Sequence, residues 1–161
     1  MPDYRIRPAT LDDLDVLVHH RVGMFTDMGV SVDAVALDHA FREWLRTTMP
    51  AGEYYAWVCE TKVGEVVAGG GISPLKWPPG PQPVAGDRLA FVYNVYTEPA
   101  HRKQGLARRI METIHAWCAE RGIAALALNA APDARRLYES MGYFEAPSPM
   151  MFKITEPGLA K

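Results

Sequence analysis

The sequence contains little cysteine and no long apolar segment. Only two of its 161 residues are cysteines, Cys59 and Cys118, and they form no metal-ligand pattern. We predict that both are small buried side chains, as free cysteines usually are. No window approaches the roughly 20 apolar residues of a membrane helix, and the N-terminal stretch lacks the apolar run of a signal peptide. The sequence therefore predicts a cytoplasmic protein without a membrane partner.

The sequence also lacks an excess of basic residues. Lys and Arg number 17 against 19 Asp and Glu, which gives a net charge of −2. Nucleic-acid binding needs a basic surface, so we exclude nucleic acid as the main partner. The histidines have no ligand spacing and predict no metal site. The length and the apolar fraction of 48% predict a single globular domain over residues 1–161, with a frayed tail at 155–161.

What the sequence does contain is an alternation of strand and helix patterns. The most hydrophobic strand, at 88–97, is predicted at the centre of the sheet. Residues 24–30 are predicted as a loop or a short extra turn, and the proline-rich segment 73–87 as a loop. We expect Val35, Phe41, Trp44 and Leu45 to be buried. The predicted elements are a strand at 4–7, helices at about 10–22 and 31–49, a hairpin at 53–60 and 65–72, a helix after Gln104, a strand at 123–128, a helix at 134–141 and one or two strands within 143–154.

The segment from 91 to 121 indicates an anion-binding site. Its strand breaks at Pro99, passes through the basic turn Arg102-Lys103-Gln104-Gly105 and enters a long amphipathic helix. The first amides of a helix have no internal partner, and the helix dipole adds partial positive charge there, so a phosphate placed at this point satisfies both. Gly105 permits the backbone to approach the phosphate closely. A solvated basic turn before a surface helix is the competing interpretation.

Three blocks of the sequence, in this order, resemble the GNAT acetyltransferase family. They are residues 6–13, residues 95–107 with R-x-x-G-x-A at Arg102, Gly105 and Ala107, and residues 129–143. The short pattern alone is weak, but three ordered blocks are specific. The resemblance implies an α/β fold with a twisted mixed sheet of about six to seven strands, flanked by about four helices. Its two central parallel strands would splay apart to admit acetyl-coenzyme A.

The resemblance also assigns residues. It implies that the pantetheine arm pairs with the main chain of Val95 and Thr97, that the diphosphate lies on the amides from Lys103 to Arg108, and that Tyr138 protonates the departing thiolate. A half-buried core aromatic is the competing interpretation of Tyr138, and a turn residue that of Asn129. The implied cofactor-binding residues are Val95, Tyr96, Thr97, Arg102, Lys103, Gln104, Gly105, Leu106, Ala107, Arg108 and Asn129.

The implied activity is an N-acetyltransferase that moves the acetyl group of acetyl-coenzyme A to a primary amine by direct attack in a ternary complex. A non-catalytic acyl-coenzyme A-binding or regulatory module is the alternative, and the presence of Tyr138 favours the enzyme. The acceptor, a small molecule or a protein or peptide amine, stays open, as does the use of other acyl groups. A homodimer through residues 150–152 is a further hypothesis. Candidate general bases are Asp27, Glu60, Glu65 and Asp87.

The charges expected near the acceptor are mixed. The first helices and the 73–87 loop contain three acidic residues, Asp27, Asp33 and Asp38, and two basic residues, Arg21 and Lys76. This balance favours a small cationic amine as the acceptor.

Overall fold

The computed structural model of the protein describes residues 3–80 and 86–146, together with Met151 and Lys153. It divides into two compact units, Met1–Asn129 and Ala130–Lys161, which are described separately. The first unit contains strands β1 (Tyr4–Pro8), β2 (Tyr55–Thr61), β3 (Val66–Lys76), β4 (Arg88–Thr97) and β5 (Ala125–Ala127) and helices α1 (Leu14–Asp27), α2 (Ala34–Thr48) and α3 (Leu106–Glu120); the second contains α4 (Arg135–Ser140).

The five strands form one mixed sheet in the order β1-β2-β3-β4-β5. The first four are antiparallel to their neighbours, and β5 is parallel to β4 because α3 returns the chain to the same end. The parallel pairing covers only residues 89–91 of β4, whereas the pairing with β3 continues to Thr97. Pairing between the two parallel strands therefore ends at Phe91, where β5 itself ends. The mixed sheet is as the resemblance predicts, with somewhat fewer strands than expected in the described residues.

Helix α1 is longer than predicted. A capping box formed by Thr10 and Asp13 precedes it, but it continues through Asp27 instead of ending near Val22. Gly29, at φ +72°, provides the stop, and the amide of Val30 donates to the carbonyl of Phe25 at 3.1 Å. This is a glycine-dependent helix end. The predicted loop at 24–30 was wrong over its first half.

Helix α2 begins where the sequence predicts, after the cap at Asp33, whose carboxylate accepts from the amide of Ala36 at 3.0 Å. Its residues Phe41 and Leu45 are buried as expected, but Val35 is 81% exposed and Trp44 is 39% exposed, so the prediction was wrong for these two. Val35 lies in the first turn, on the side of the helix that faces solvent. Both cysteines are free and buried, which confirms their predicted role.

Strand β3 contains three consecutive glycines because neighbouring side chains pack against both of its faces. A Cβ on Gly70 would lie 2.9 Å from Ile110 of α3, and one on Gly71 would lie 2.2 Å from the Tyr54 hydroxyl. The strand also runs to Lys76, four residues past the predicted end at Ile72, since it pairs with β4 along this length. The first part of the predicted 73–87 loop is therefore a strand.

In the second unit, α4 carries Tyr138, whose ring lies edge-on to that of Tyr143 at 5.6 Å between centroids. Gly142, at φ +92°, follows the helix as predicted. Residues 143–146 are not strand, and most of the remaining tail, including the expected frayed end and most of the 150–152 interface, lies outside the described residues. No helix among the described residues is long and apolar enough to span a membrane.

Candidate active site

The open edge of β4 begins where β5 stops pairing. The amide of Glu98 donates to the carbonyl of Val67 on β3 at 2.8 Å. Because backbone groups alternate in direction along a strand, Tyr96 also faces β3, and the N–H and C=O groups of Val95 and Thr97 face the opposite edge. The two residues predicted to pair with the pantetheine arm thus present their main chain to the side of β4 that β5 no longer covers.

A bulge interrupts β4 immediately before this edge. Gly69 pairs with Tyr96 and Gly71 with Tyr93, so β4 contains one extra residue opposite Gly70. Asn94 has a left-handed backbone at φ +58°, a conformation that asparagine tolerates better than most residues. The extra residue therefore lies on β4, opposite the glycine run of β3.

Two side-chain hydrogen bonds hold the bulge. Arg21 of α1 donates from Nη1 to Oδ1 of Asn94 at 2.6 Å. Asn94 in turn donates from Nδ2 to the hydroxyl of Tyr54 at 2.9 Å. Tyr54 is almost fully buried, and burial raises its pKa to about 12. The chain of contacts therefore joins a cation, an amide and a neutral phenol beside the bulge.

The turn formed by residues 102–105, here called the α3 turn, bends sharply into the helix. Lys103 and Gly105 both have positive φ, +60° and +77°. Gly105 is the N-terminal cap of α3, and no side chain caps the helix. A Cβ on Gly105 would meet nothing within 4 Å. Glycine is therefore required here by its backbone angle rather than by crowding within the chain.

The side chains of the α3 turn differ in what they contact. Arg102 donates from Nε to the carbonyl of Thr97 at 2.9 Å, and its Nη2 pairs with Asp27. Gln104 accepts from the Tyr4 hydroxyl at 3.0 Å. These side chains tie the turn to α1 and β1. Lys103 is exposed.

The other predicted cofactor-binding residues have varied surroundings. Tyr96 places its ring against His20 of α1, at 5.1 Å between centroids, so both its ring and its main chain face away from the open edge. Leu106 is buried in the core. Ala107 and Arg108 are half-buried on the first turn of α3, and Asn129 is exposed after β5. Binding of a cofactor by these residues stays a prediction.

Tyr138 belongs to the second unit and is 7% exposed. Burial raises its pKa to about 12, so the phenol is protonated over the whole neutral range. A general acid must begin its reaction protonated, and Tyr138 meets this requirement. Its role as a proton donor stays a prediction.

A pocket of ≈ 380 Å³ lies beside the bulge, between α1, α2 and β4. We call it the β4 pocket. Its walls are mainly aromatic and aliphatic, and Arg21 and Asn94 are its polar groups. The carbon at the centre of the Arg21 guanidinium lies 4.8 Å from the ring centroid of Phe41 and 5.0 Å from that of Phe25. The lining residues are Arg21, Leu37, Ala40, Phe41, Trp44, Tyr93 and Asn94.

Sequence reasoning missed the β4 pocket. Its polar group on α1, Arg21, lies four residues after Leu17 and four before Phe25, so a cation interrupts an apolar helical stripe. That interruption is the signal that would have singled out Arg21 from the mixed charges expected near the acceptor. Asn94 carries no comparable signal, because its role depends on the bulge.

The four candidate general bases lie outside the β4 pocket lining. Glu60 pairs with Arg7 at 2.8 Å, and Asp27 pairs with Arg102. Glu65 and Asp87 are exposed, in the β2–β3 turn and before β4. The identity of the base therefore stays open among these candidates.

Two adjacent histidines connect α1 to the end of β4. The Nε2 atom of His19 lies 2.7 Å from Oε1 of Glu98. His20 is buried, which lowers its pKa to about 4 and keeps its ring neutral despite a 3.6 Å approach to the same carboxylate. Within the described residues, no group of three His, Cys, Asp or Glu side chains is arranged to hold a metal ion.

Comparison with known proteins identifies the family. The model of the GNAT acetyltransferase family matches residues 22–143. The crystal structure of a GCN5-related N-acetyltransferase from Ralstonia eutropha JMP134 is similar over 95% of this chain and 99% of that chain, with a TM-score of 0.83 and 35% sequence identity. The chain belongs to the GNAT acetyltransferase family, as the three blocks predicted.

More distant structures share the fold. A predicted acetyltransferase from Clostridium acetobutylicum, solved with acetyl-coenzyme A, has a TM-score of 0.85 at 21% identity and covers 94% of this chain and 96% of its own. An aminoglycoside N-acetyltransferase in complex with coenzyme A has a TM-score of 0.75 at 13% identity, with 96% of each chain covered. No curated protein matches the sequence at a significant level.

Proposed function

We propose that this protein is an N-acetyltransferase that transfers the acetyl group of acetyl-coenzyme A to a primary amine by direct attack in a ternary complex. The observation that carries the proposal is the open edge of β4, which leads through one short turn at Pro99–His101 into the α3 turn. A ligand with an extended amide-containing arm and a diphosphate fits this succession. The resemblance to GNAT proteins solved with acetyl-coenzyme A and coenzyme A supports the same ligand.

In the proposed complex, the pantetheine arm pairs with the main chain of Val95 and Thr97 as an added strand. The diphosphate accepts from the amides of residues 103–108, where the positive end of the α3 dipole lies. Lys103 contributes charge from the exposed side of the turn. Arg102 acts indirectly, because its hydrogen bond to the Thr97 carbonyl fixes the end of β4 relative to the turn.

The transfer begins when the neutral amine attacks the thioester carbonyl carbon and forms a C–N bond. The carbonyl oxygen becomes an oxyanion, which an amide N–H near the bulge, at Val95, would stabilise. The C–S bond then breaks, the nitrogen loses a proton to a base, and the coenzyme A thiolate takes a proton from the Tyr138 phenol. The products are an N-acetylated amine and free coenzyme A.

Turnover of acetyl-coenzyme A with a panel of primary amines tests the proposal. We expect release of free thiol that depends on both the protein and the amine, and an acetylated amine of matching amount by mass spectrometry. The initial rates should follow a sequential pattern, since no covalent acetyl-enzyme forms. Parallel double-reciprocal lines would contradict direct attack.

The non-catalytic acyl-coenzyme A-binding module remains the second candidate. It predicts that calorimetry detects acetyl-coenzyme A binding while no amine in the panel is acetylated. The presence of a buried, protonated Tyr138 favours the enzyme, because a binding module has no use for a proton donor.

A further inference from the structure

The acids expected to favour a cationic acceptor are engaged elsewhere. Asp27 pairs with Arg102, Asp33 caps α2, and Asp38 binds Arg42, with 3.2 Å between Oδ1 and Nε. None of the three lines the β4 pocket. The mixed charge seen in the sequence therefore does not extend into the pocket itself.

Arg21 is the charged residue that does line the β4 pocket. Within the described residues it has no carboxylate partner, and its one hydrogen bond, from Nη1, goes to the neutral amide of Asn94. Its Nε atom is buried without an acceptor. Burial lowers the pKa of Arg21 from its ordinary value, since it disfavours the charged form, but arginine stays protonated. A cation held this way attracts an anionic ligand group.

The rest of the β4 pocket suits an apolar group of modest size. Phe41 and Trp44 stack with 5.6 Å between their ring centroids, and Leu37 and Tyr93 continue the apolar wall. At ≈ 380 Å³ the pocket is at the small end of the range for ligand sites. It has room for an amino-acid-sized molecule.

We propose that the acceptor is an amine that also carries a carboxylate and an apolar group, with the carboxylate bound at Arg21. This inference rests on the proposed function and specifies its second substrate. The guanidinium would neutralise the carboxylate by a charge-assisted hydrogen bond, and the apolar group would lie against Phe41 and Trp44. The amine would then face the bulge at Asn94, beside the open edge of β4.

Calorimetry on the protein saturated with coenzyme A tests this by binding rather than by turnover. The probes are L-phenylalanine, L-leucine, L-methionine and 4-aminobenzoate, each paired with its primary amide. We expect at least one acid to bind about 10-fold or more tightly than its amide, the range of a charge-assisted hydrogen bond. Equal affinity within every pair, or no binding of any acid, overturns the inference.

Two variants test whether Arg21 causes the preference for each acid over its amide. Arg21→Met should reduce the ratio of acid to amide affinity to near 1, while Arg46→Met, an exposed arginine of α2 paired with Glu43, should leave it unchanged. Asn94→Asp provides a second route if Arg21→Met does not fold, because it places a carboxylate beside the guanidinium and should also abolish the preference. A preference that survives in both variants overturns the assignment.

The thiol-release assay keeps the two proposals apart. If carboxyl-free amines are acetylated as efficiently as the acids, the proposed function stands and the inference about the acceptor fails. If acids bind with the expected preference and none of the amines is acetylated, the carboxylate site at Arg21 stands and the transferase activity fails.

Discussion

The α3 turn and the β4 pocket lie at the two ends of the same strand segment, yet they are built from different parts of the chain. The α3 turn is a main-chain device: its helix N-terminus is uncapped, and its angles are set by Lys103 and Gly105. The β4 pocket is a side-chain device, in which Arg21 and Asn94 meet across 73 positions of sequence. A backbone site suits a ligand common to a family, while a side-chain site can vary with the acceptor.

This contrast makes the roles of the two regions separable. A change in the α3 turn should alter the affinity for acetyl-coenzyme A and leave the acceptor unaffected. A change in the wall of the β4 pocket should alter the affinity for the acceptor and leave the affinity for acetyl-coenzyme A unaffected. If Tyr138 is the proton donor, a substitution at Tyr138 should slow the chemical step and leave the affinities for acetyl-coenzyme A and for the acceptor unchanged.

The largest effect is expected from Tyr138→Phe. Loss of a general acid typically costs about 100-fold or more in rate, so kcat should fall by roughly this factor while the Kd for acetyl-coenzyme A changes less than about 3-fold. Stopped-flow thiol release and calorimetry measure the two quantities. Tyr143→Phe, which changes the neighbouring ring in the same way, is the control. An unchanged kcat would make Tyr138 a packing residue.

Gly105→Val should weaken acetyl-coenzyme A binding by about 10-fold or more. A β-branched residue at φ +77° is strained by roughly 1–2 kcal/mol, and its side chain would occupy the space beside the helix N-terminus. Gly64→Val is the matched control, since Gly64 has φ +85° and also has open space around its Cβ. Both variants should lose similar stability in thermal unfolding. Equal losses of affinity would show that strain alone, not the α3 turn, is responsible.

Trp44→Ala should raise the acceptor KM by about 5- to 10-fold, because the substitution removes apolar contact area from one wall of the β4 pocket. The Kd for acetyl-coenzyme A should stay within about 2-fold. Trp77→Ala, at an exposed tryptophan outside the pocket lining, is the control for loss of a tryptophan. A KM that rises equally in both variants would remove the β4 pocket from acceptor binding.

The smallest effect concerns pH. Because burial raises the pKa of Tyr138 to about 12, the protonated form persists well above the ordinary value of about 10. At saturating acceptor, kcat should therefore change by less than about 2-fold between pH 9 and pH 10.5, with folding at each pH checked by circular dichroism. A decline centred near pH 10 would mean that the proton donor is a solvent-exposed phenol or another group.

Local sequence signals predicted most of the α3 turn and of the strand and helix on either side of it. Pro99 marks the end of β4, the apolar stripe from Leu106 to Cys118 predicts α3, and Gly105 predicts the start of that helix. Each of these signals lies within a few residues of the feature that it predicts. The errors came from tertiary contacts. Strand β3 continues past Ile72 because β4 pairs with it, and Val35 is exposed because of how α2 packs.

The sequence alone was sufficient for the family, the order of the elements and the turn that begins α3, because each depends on local patterns of residues along the chain. The bulge on β4 and the β4 pocket depend on tertiary contacts between distant parts of the chain. Asn94 adopts its left-handed backbone between hydrogen bonds from Arg21 on α1 and to Tyr54 before β2. No local sequence pattern encodes these contacts, because they form only when α1, α2 and the sheet pack together.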